Sequence, residues 1–449
     1  MSAADAVTDS LQNLRAQFVD VRDGKPADYI PQLALADPDA FGLALVSMDG
    51  HRYSAGEAEV PFTLQSVSKP FIYALALSAL GLDEVSRWVG AEPSGEAFNA
   101  ISLEPDTGRP ANAMVNAGAI VTTALIPDAP GEPAFDRILN CLGRFAGREL
   151  DVDEEVFNSE SVTGDRNRAL AYLIRSTGTM PVDPVLAVDR YFRQCAIRVT
   201  TVDLATMAAT LAYGGVNPVT GERVVPDAVA AQVLAVMATC GMYDGSGDWL
   251  LRVGLPAKSG VSGGLIAVGP ARFGVATYSP PLDSTGGSVR GHAALETLSQ
   301  RYGLHLMLNP ALPGSTVSLV TTADDLPSAP STEHERVLHE QVGVVVAQGS
   351  IDFTAAERVL YALDESGPDG SSVVLDLHDV TSVDSVGLAM LHTGLARLAS
   401  DGRRAAVVDP RGLLGPPDLV RERTGQDVPR YDTREDAVEG CAHALAGED

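Results

Sequence analysis

Gln65-Ser66-Val67-Ser68-Lys69-Pro70 leads directly into the longest apolar stretch of the chain, and this junction decides how the fold is interpreted. The length and apolar content of 67–82 predict a buried helix, in whose first turn Pro70 is tolerated. A spacing of three residues places Ser66 and Lys69 on the same helical face, within reach of each other. The amino end of a helix also favours negative charge near Ser66.

A serine and a lysine in this arrangement can perform nucleophilic catalysis. A serine hydroxyl is a weak nucleophile that needs a base, and a buried lysine with a lowered pKa can be that base. The pattern also arises by chance, in which case Ser66 caps the helix and Lys69 is solvated. On this motif alone both interpretations stay open.

A second short motif, Lys258-Ser259-Gly260-Val261, supports the catalytic interpretation. In serine acyl-transfer enzymes of the penicillin-binding type, a K-[ST]-G strand lines the site beside S-x-x-K. The residue after the glycine, Val261, can direct a backbone N–H at the developing oxyanion, together with the N–H of Ser66. Taken alone, the motif could be an exposed turn. Only three of the 32 basic residues are lysines, however, and two of them lie in these motifs. Lysine, unlike arginine, can lose its proton when it is desolvated.

The composition argues against several functional classes. A content of 45% hydrophobic and 20% charged residues is typical of a soluble globular protein, and the net charge of −27 opposes binding to nucleic acids and anionic membranes. No apolar stretch approaches the ~20 residues needed to cross a bilayer, and residues 1–5 do not resemble a signal peptide. The four cysteines are widely spaced, so we expect free thiols. The sequence thus predicts a cytoplasmic protein with no metal and no cofactor.

The chain divides by composition into two domains and a linker. Residues 1–310 combine strand-like runs, such as 40–47, with a mostly helical middle, which predicts a mixed α/β (α+β) domain. Stretches containing proline, glycine and serine mark 311–334, which we expect to be a linker. In 335–449 strands alternate with helices, and this alternation predicts a smaller α/β domain.

Several longer motifs surround the two short ones. They are Ala27-Asp28-Tyr29-Ile30-Pro31-Gln32-Leu33; Val89-Gly90-Ala91-Glu92-Pro93-Ser94-Gly95 with Phe98-Asn99; Met114-Val115-Asn116-Ala117-Gly118-Ala119-Ile120; Glu160 followed by Thr163-Gly164-Asp165-Arg166-Asn167-Arg168; Tyr191-Phe192-Arg193-Gln194-Cys195; Thr239-Cys240-Gly241-Met242-Tyr243-Asp244; and Leu255-Pro256-Ala257 before the lysine motif. Together they resemble the glutaminase family, bacterial and mitochondrial, from about residue 23 to 303. The resemblance implies a serine β-lactamase or penicillin-binding-protein-like catalytic domain. It also implies hydrolysis of L-glutamine to L-glutamate and ammonia through a Ser66 acyl-enzyme.

The resemblance implies a role for each matching residue. Ser66 is the nucleophile, Lys69 is its base, and Tyr243 assists proton transfer. Tyr29 is a second hydroxyl lining the pocket, and the N–H groups of Ser66 and Val261 form the oxyanion hole. The positions that hold substrate are Asn116, Glu160, Asn167 and Tyr191, together with Ser66, Tyr243 and Val261.

This set of side chains suits a free amino acid. The α-ammonium group needs a carboxylate such as Glu160, and amide or hydroxyl donors at Asn116, Tyr29 or Tyr191 suit the α-carboxylate. Each residue also has a purely structural interpretation. Asn116 could cap a helix, Glu160 could be the exposed partner of a nearby arginine, and tyrosines are often core residues with one hydrogen-bonded hydroxyl.

Two positions depart from the family pattern. Ala113 stands where the family usually has proline, and Gly286-Gly287-Ser288 has glycine where asparagine is common. Neither replaces a proposed catalytic group, but both alter loop stiffness. We therefore expect any effect to fall on affinity rather than on the chemistry.

The second domain resembles a STAS domain, the fold of anti-sigma-factor antagonists, from about residue 335 to 446. The likeness rests on 348–353 and 380–391. In that family the serine of D-S-x-G can be phosphorylated, and Ser385 occupies this position at a predicted helix start, where a phosphate is electrostatically tolerable. The interpretation we favour is that Asp384 and Ser385 only cap the helix. The domain would then be an interaction module for a protein partner.

Two other functions stay open on the sequence. The same S-x-x-K and K-S-G motifs would serve a β-lactamase or penicillin-binding-type acyl-transferase, and the first domain could also be a non-catalytic glutamine sensor signalling through the STAS domain. The amino-acid-binding set argues against the former, and the intact Ser66 and Lys69 argue against the latter. The family resemblance further implies a homodimer or homotetramer.

Overall fold

A computed structural model describes residues 5–95, 101–307, 317–323, 339, 341–351, 353–366, 372–400, 402–425 and 427–446. The chain forms two compact units, 1–308 and 309–449. The motif residues Phe98, Asn99 and Asp352 lie outside the described residues.

The first unit is built on a five-stranded antiparallel sheet with the strand order β2-β1-β7-β6-β5. Strand β1, predicted at 40–47, pairs on one side with its hairpin partner β2. On the other side it pairs with β7, which comes from the far end of the unit. The strands are β1 (Gly42–Ser47), β2 (Arg52–Gly56), β5 (Ala257–Ser259), β6 (Gly264–Gly269) and β7 (Phe273–Tyr278), and a separate antiparallel pair joins β3 (Phe62–Thr63) to β4 (Arg198–Val199).

Twelve helices are assigned among the described residues of this unit, and the mostly helical middle that the sequence predicted is confirmed. They are α1 (Asp5–Ala16), α2 (Lys69–Leu80), α3 (Leu82–Trp88), α4 (Asn116–Ala124), α5 (Ala134–Ala146), α6 (Glu154–Thr163), α7 (Asp165–Ser176), α8 (Pro184–Cys195), α9 (Thr201–Ala212), α10 (Asp227–Cys240), α11 (Ser246–Arg252) and α12 (Val289–Tyr302). Short 3₁₀ turns occur at Leu33–Leu35, Gln65–Ser68 and Tyr243–Gly245.

The inner strands β6 and β7 are buried on both faces, so they are apolar at nearly every position. Along β6, Ile266 and Val268 pack into the large core that contains α9, whereas Leu265 and Ala267 pack into a second core with α1 and α12. Successive side chains of a strand point to opposite faces, which explains the division. The sheet therefore sits between two apolar layers.

Helix α2 begins two residues later than the sequence predicted, at Lys69 rather than Val67. The preceding residues Gln65–Ser68 form a tighter 3₁₀ turn, and Pro70 lies in the first turn of α2, where its missing N–H costs nothing. The helix is buried on almost all sides over its first turns. Ser66 therefore lies in a rigid turn just before a core helix.

The second unit is a five-stranded sheet with the order β12-β11-β10-β9-β8, parallel except for β8. The alternating strands and helices predicted in this region are confirmed. The strands are β8 (Val317–Thr322), β9 (Val342–Ile351), β10 (Ser372–Val383), β11 (Arg404–Val408) and β12 (Arg430–Tyr431), and the helices are α13 (Phe353–Glu365), α14 (Ser385–Ser400), α15 (Pro417–Thr424) and α16 (Arg434–Ala446).

The expected linker 311–334 is wrong over part of its length. Val317–Thr322 is an edge strand that pairs antiparallel with β9. Its run of valine, leucine and threonine is typical of a strand, but the proline- and serine-containing stretches on either side concealed it. Part of the segment therefore belongs to the second sheet.

No single helix among the described residues is both long and apolar enough to cross a membrane, although the bent pair Asp227–Cys240 and Tyr243–Arg252 passes by length and composition when joined. The same residues contain no cluster of three or more His, Cys, Asp or Glu that could hold a metal ion.

Candidate active site

The turn that carries Ser66 has a strained backbone. Gln65, directly before it, has a φ of 47°, and Tyr243, which hydrogen-bonds with the Ser66 hydroxyl, has a φ of 58°. Among the described residues only one other non-glycine residue, Ala271, has a positive φ. Such conformations cluster at functional sites because the surrounding structure must hold them. Ser66 is thus placed between two residues whose backbones are held in uncommon conformations.

Lys69 is fully buried at the start of α2, which contradicts the interpretation of a solvated lysine. Its Nζ donates to Asn116 Oδ1 at 2.7 Å and lies 5.4 Å from the centre of the Tyr243 ring. Burial lowers the pKa of Lys69 to about 7, although negative charge on Cys195 and Glu160 would oppose this shift. A substantial fraction of Lys69 is therefore neutral near pH 7 and can accept a proton.

Lys258, on β5, is also fully buried, so the K-S-G motif is not an exposed turn. Its Nζ donates to the backbone carbonyl of Ser259 at 2.8 Å and lies 3.9 Å from the centre of the Tyr243 ring. Burial, followed by repulsion from Lys69, lowers the pKa of Lys258 well below its ordinary value. Both lysines of the two motifs therefore meet at Tyr243.

Tyr243 itself is neutral at physiological pH. Burial raises the pKa of its phenol above the ordinary value, while the hydrogen bond with Ser66 opposes the rise. A neutral phenol that contacts the serine hydroxyl can pass a proton to or from the reacting groups. The geometry suits the role that the family resemblance implied.

Asn116 is hydrogen-bonded to three other predicted residues. It is the first residue of α4, and the capping position before it is occupied by Val115. Its Oδ1 accepts from Lys69 Nζ and from Tyr191 Oη at 3.4 Å, and its Nδ2 donates to Asn167 Oδ1 at 3.2 Å. The capping interpretation of Asn116 is therefore wrong.

Glu160 is buried with only 6% of its surface exposed, which contradicts the interpretation of an exposed ion pair. Its Oε2 accepts from Gln65 Nε2 at 3.5 Å, and burial raises its pKa to about 8, opposed by Gln65 and Lys69. The nearby Arg168 instead pairs with Asp165. A ligand ammonium group beside Glu160 would favour its ionised form.

A cavity of about 360 Å³ opens onto this cluster. It is lined by seven predicted residues, Tyr29, Ser66, Asn116, Glu160, Asn167, Tyr191 and Val261, and by Ile30, Gln65, Thr163, Gly164 and Arg166. Lys69 and Tyr243 do not line it. The sequence did not assign Gln65 or Arg166 to the site, although each lies within one residue of an assigned position.

Tyr29 and its neighbour Ile30 bring the amino-terminal segment to the cavity, which Val261 also lines. Tyr29 is 51% exposed, and its neighbour Ile30 packs with Val261 and Leu282 in a small apolar cluster outside the main core. A single β-bridge between Lys25 and Leu282 holds the segment before Tyr29 against the rest of the unit. The amino-terminal segment thus forms one wall of the cavity.

The two departures from the family pattern lie away from the cavity lining. Gly286 has a φ of 83°, a left-handed conformation that glycine and asparagine both tolerate. Ala113 is fully buried beside Asn112, whose Oδ1 accepts from the N–H groups of Met114 and Val115. Neither position contacts a predicted catalytic group through a hydrogen bond described here.

A larger cavity of about 670 Å³ lies elsewhere in the first unit, and none of the predicted residues line it. Two of its arginines are already paired, Arg144 with Glu222 and Arg148 with Asp203, both at 2.6 Å. The smaller cavity, with its buried titratable groups, is therefore the candidate active site.

Comparisons with known proteins decide the family. The model described as "Glutaminase" matches residues 24–307. The chain belongs to the glutaminase family. Glutaminase 2 of Bradyrhizobium diazoefficiens is 44% identical over 395 residues, which are 87% of this chain and 63% of that protein. The chain thus spans less than two thirds of the length of this relative.

Comparison with solved structures shows that the fold of the chain also matches that of known proteins. The structure of Mglu is 43% identical with a TM-score of 0.77, and the match covers 91% of this chain and 99% of Mglu. The Bacillus subtilis glutaminase YbgJ, solved as a covalent complex with 5-oxo-L-norleucine formed from 6-diazo-5-oxo-L-norleucine, is 32% identical with a TM-score of 0.61 and covers 67% of this chain and 99% of YbgJ. The predicted β-lactamase-like fold class is confirmed.

The second unit carries a STAS domain, since the model described as "Mlab, STAS domain" matches residues 334–417. Asp384 precedes helix α14, and its Oδ1 accepts from the Gly387 N–H at 2.6 Å. Ser385 is the first residue of that helix and is exposed. The cap that Asp384 supplies agrees with the structural interpretation, and phosphorylation of Ser385 stays a prediction.

Proposed function

We propose that this protein hydrolyses L-glutamine to L-glutamate and ammonia through an acyl-enzyme on Ser66. The observation that carries the proposal is the pairing of Ser66 and Tyr243 beside Lys69, whose pKa burial lowers to about 7. These groups adjoin a cavity that contains a buried carboxylate, Glu160. Together they provide a nucleophile, a base and a site for an ammonium group.

Substrate binding follows from the charges around the cavity. The α-ammonium group of glutamine lies beside Glu160 and draws this carboxyl into its ionised form. The α-carboxylate accepts hydrogen bonds from donors among Tyr29, Asn167 and Tyr191. When the α-ammonium and α-carboxylate groups of glutamine are both bound, its side-chain amide extends toward Ser66.

The acylation step uses the buried bases. Neutral Lys69 accepts the Ser66 proton as Oγ attacks the amide carbon, and the oxyanion that forms is stabilised by the N–H groups of Ser66 and Val261. The C–N bond then breaks, Tyr243 passes a proton to the leaving nitrogen and takes up the proton held by Lys69, and ammonia departs. Water then attacks the resulting ester and gives a proton to neutral Lys69, the ester bond breaks, and Lys69 returns this proton to Ser66 Oγ as glutamate is released.

The main alternative is a penicillin-binding or β-lactamase-type acyl-transferase. The cavity volume of about 360 Å³ lies at the small end of the range for small-molecule sites, about 300–1,000 Å³. A buried carboxylate suits a free α-ammonium group better than a lactam or a cell-wall peptide. Both features favour a single amino acid as substrate.

Parallel assays separate these functions. We expect ammonia release from glutamine, no nitrocefin hydrolysis, and loss of turnover in Ser66→Ala and Lys69→Ala. Hydrolysis of nitrocefin without ammonia release would favour the alternative. Glutamine binding without turnover in the wild-type protein would instead indicate a sensor that signals through the STAS domain.

We further propose that the enzyme acts in the cytoplasm as a homodimer or homotetramer and that its STAS domain binds a protein partner. Light scattering coupled to size-exclusion chromatography tests the first point, and a monomer at assay concentrations would contradict it. Ser385→Asp tests whether this exposed position affects activity, and we expect no change, because Asp384 already caps the helix.

A further inference from the structure

A series of buried hydrogen bonds lies behind the turn that carries the nucleophile. Thr123 Oγ1 on α4 lies 2.7 Å from Gln194 Oε1 on α8 and 2.8 Å from the Ala119 carbonyl oxygen, so its one proton is shared between these two acceptors. Gln194 Nε2 donates to Ser68 Oγ at 2.8 Å. The Ser68 hydroxyl donates in turn to the backbone carbonyl of Gln65 at 2.8 Å. All three side chains are fully buried and none lines the cavity. Their polar groups therefore depend on one another for hydrogen bonds.

This series of hydrogen bonds ends at Gln65, whose backbone is strained. The left-handed conformation of Gln65 persists only if its surroundings hold it. Ser68 holds its carbonyl group, while Glu160 and Thr63 accept from its side-chain amide at 3.5 and 3.4 Å. Because Ser66 follows directly, the conformation of Gln65 sets the direction of the Ser66 N–H and hydroxyl.

The two helices that anchor the series also carry substrate-site residues. Thr123 lies seven residues after Asn116 on α4, and Gln194 lies three residues after Tyr191 on α8. Both spacings place the two side chains on one helical face. The series therefore links the turn of the nucleophile to the helices that carry Asn116 and Tyr191.

We propose that Thr123, Gln194 and Ser68 are positioning residues for hydrolysis, which hold Gln65 so that Ser66 is aligned with the amide and its oxyanion hole. This inference rests on the proposed Ser66 acyl-enzyme. Without the series the turn relaxes, so the Ser66 N–H and hydroxyl lose their alignment. The acylation rate then falls, whereas glutamate binding is retained because the groups that hold the amino acid are unchanged.

Adjacent threonines provide a matched test. Thr122 is also fully buried and bonds to the same carbonyl, that of Ala119, but of the two threonines only Thr123 also bonds to Gln194. Thr123→Val and Thr122→Val therefore remove the same group from the same helix. The measurements are kcat, the rate of inactivation by 6-diazo-5-oxo-L-norleucine, the dissociation constant for glutamate, and the thermal midpoint.

We expect Thr123→Val to lower kcat and the inactivation rate by about tenfold or more while the glutamate dissociation constant changes less than about threefold. Thr122→Val should match the wild-type protein, and Thr123→Ser, which keeps the hydroxyl, should recover most of the rate. Gln194→Met, of similar length but without either hydrogen bond, should repeat the loss.

Equal kcat values in Thr123→Val and Thr122→Val would overturn the proposal, as would a loss of rate matched by an equal loss of glutamate affinity. If Thr123→Val fails to fold, the same measurements on Gln194→Met and Ser68→Ala decide. The Ser66→Ala variant distinguishes failure of the acyl-enzyme mechanism from failure of the positioning role. Full activity of Ser66→Ala would remove the acyl-enzyme itself, whereas an inactive Ser66→Ala beside a fully active Thr123→Val removes only the positioning role.

Discussion

At the scale of single residues, burial moves the pKa values of the catalytic groups in opposite directions. It lowers the pKa of Lys69 to about 7 and raises that of Glu160 to about 8. A cation loses its proton more easily when desolvated, and a carboxylate gains one. Near pH 7 the site thus contains a lysine and a carboxyl group that can each change charge.

The pH dependence of activity tests the role of Lys69. Since Lys69 must be neutral to accept the Ser66 proton, we expect kcat to rise as the pH rises through about 7. The kcat/KM value should rise through about 7 to 8, because the free enzyme must also ionise Glu160. Initial rates across the neutral range give both profiles, and a kcat that stays flat through pH 7 would contradict the assignment. Lys69→Arg should be inactive at every pH, because arginine keeps its proton.

Glu160→Gln tests the ammonium site. Removing the negative charge should raise KM by roughly 10- to 100-fold, since a charge-assisted hydrogen bond contributes about 1.5–3 kcal/mol, and should lower kcat much less. Glu155→Gln, an exposed change on the same helix, is the matched control. Steady-state kinetics would reject the assignment if both variants had the KM of the wild-type protein.

The sequence predicts much of the site because its motifs are long. It placed seven of the residues that line the cavity, but it did not assign Arg166 or Gln65 to the site. It also gave no sign that Thr123 and Gln194 meet, since they are far apart in the chain and contact only after α4 and α8 pack together. A motif reports identity and local spacing, whereas these contacts depend on tertiary packing.

At the scale of elements, the first sheet is positioned by its close approach to α9. A Cβ added at Gly274 on β7 would lie 2.1 Å from the Ala209 nitrogen and 2.4 Å from the Ala205 carbonyl oxygen. Eleven of the twelve residues of α9 are buried. The sheet and the helix can pack this closely only because the strand lacks a side chain at that position.

Gly274→Ala should therefore lower the free energy of unfolding by about 1–3 kcal/mol, because the added methyl group forces the helix and sheet apart. Gly247→Ala, within α11, is the control, since its Cβ would meet no atom within 4 Å; alanine there should be neutral or should stabilise the helix by up to about 1 kcal/mol. Urea unfolding measures both changes. Equal stability of the two variants would disprove the close-packing argument.

The elements also show where sequence patterns fail. Strand β1 lies within the predicted run 40–47, and the middle of the first unit is mostly helical as predicted. The predicted helix 67–82 included Val67 and Ser68, which are the last two residues of the 3₁₀ turn Gln65–Ser68, because a 3₁₀ turn that leads directly into a helix has no separate sequence signal. Strand β8 was missed because proline- and serine-containing stretches lie on both sides of it.

At the scale of the whole molecule, the chain consists of two units, each with its own hydrophobic core. The first contains the candidate active site, and the second is a STAS domain. A core of its own allows each unit to unfold as a separate cooperative step.

Unfolding should therefore occur in two transitions, and saturating glutamate should raise the midpoint of only one of them, because a ligand stabilises the unit that binds it. Scanning calorimetry with and without glutamate makes this measurement. A single transition that shifts as a whole would show that the two units unfold together.

The central claim is that Ser66 forms a covalent bond with the substrate carbon. Its most direct test is mass spectrometry after incubation with 6-diazo-5-oxo-L-norleucine, followed by peptide mapping. The account predicts one 5-oxo-norleucine adduct per chain on the peptide that contains Ser66, and none in Ser66→Ala. An adduct on any other residue, or labelling of Ser66→Ala at the wild-type rate, would contradict it.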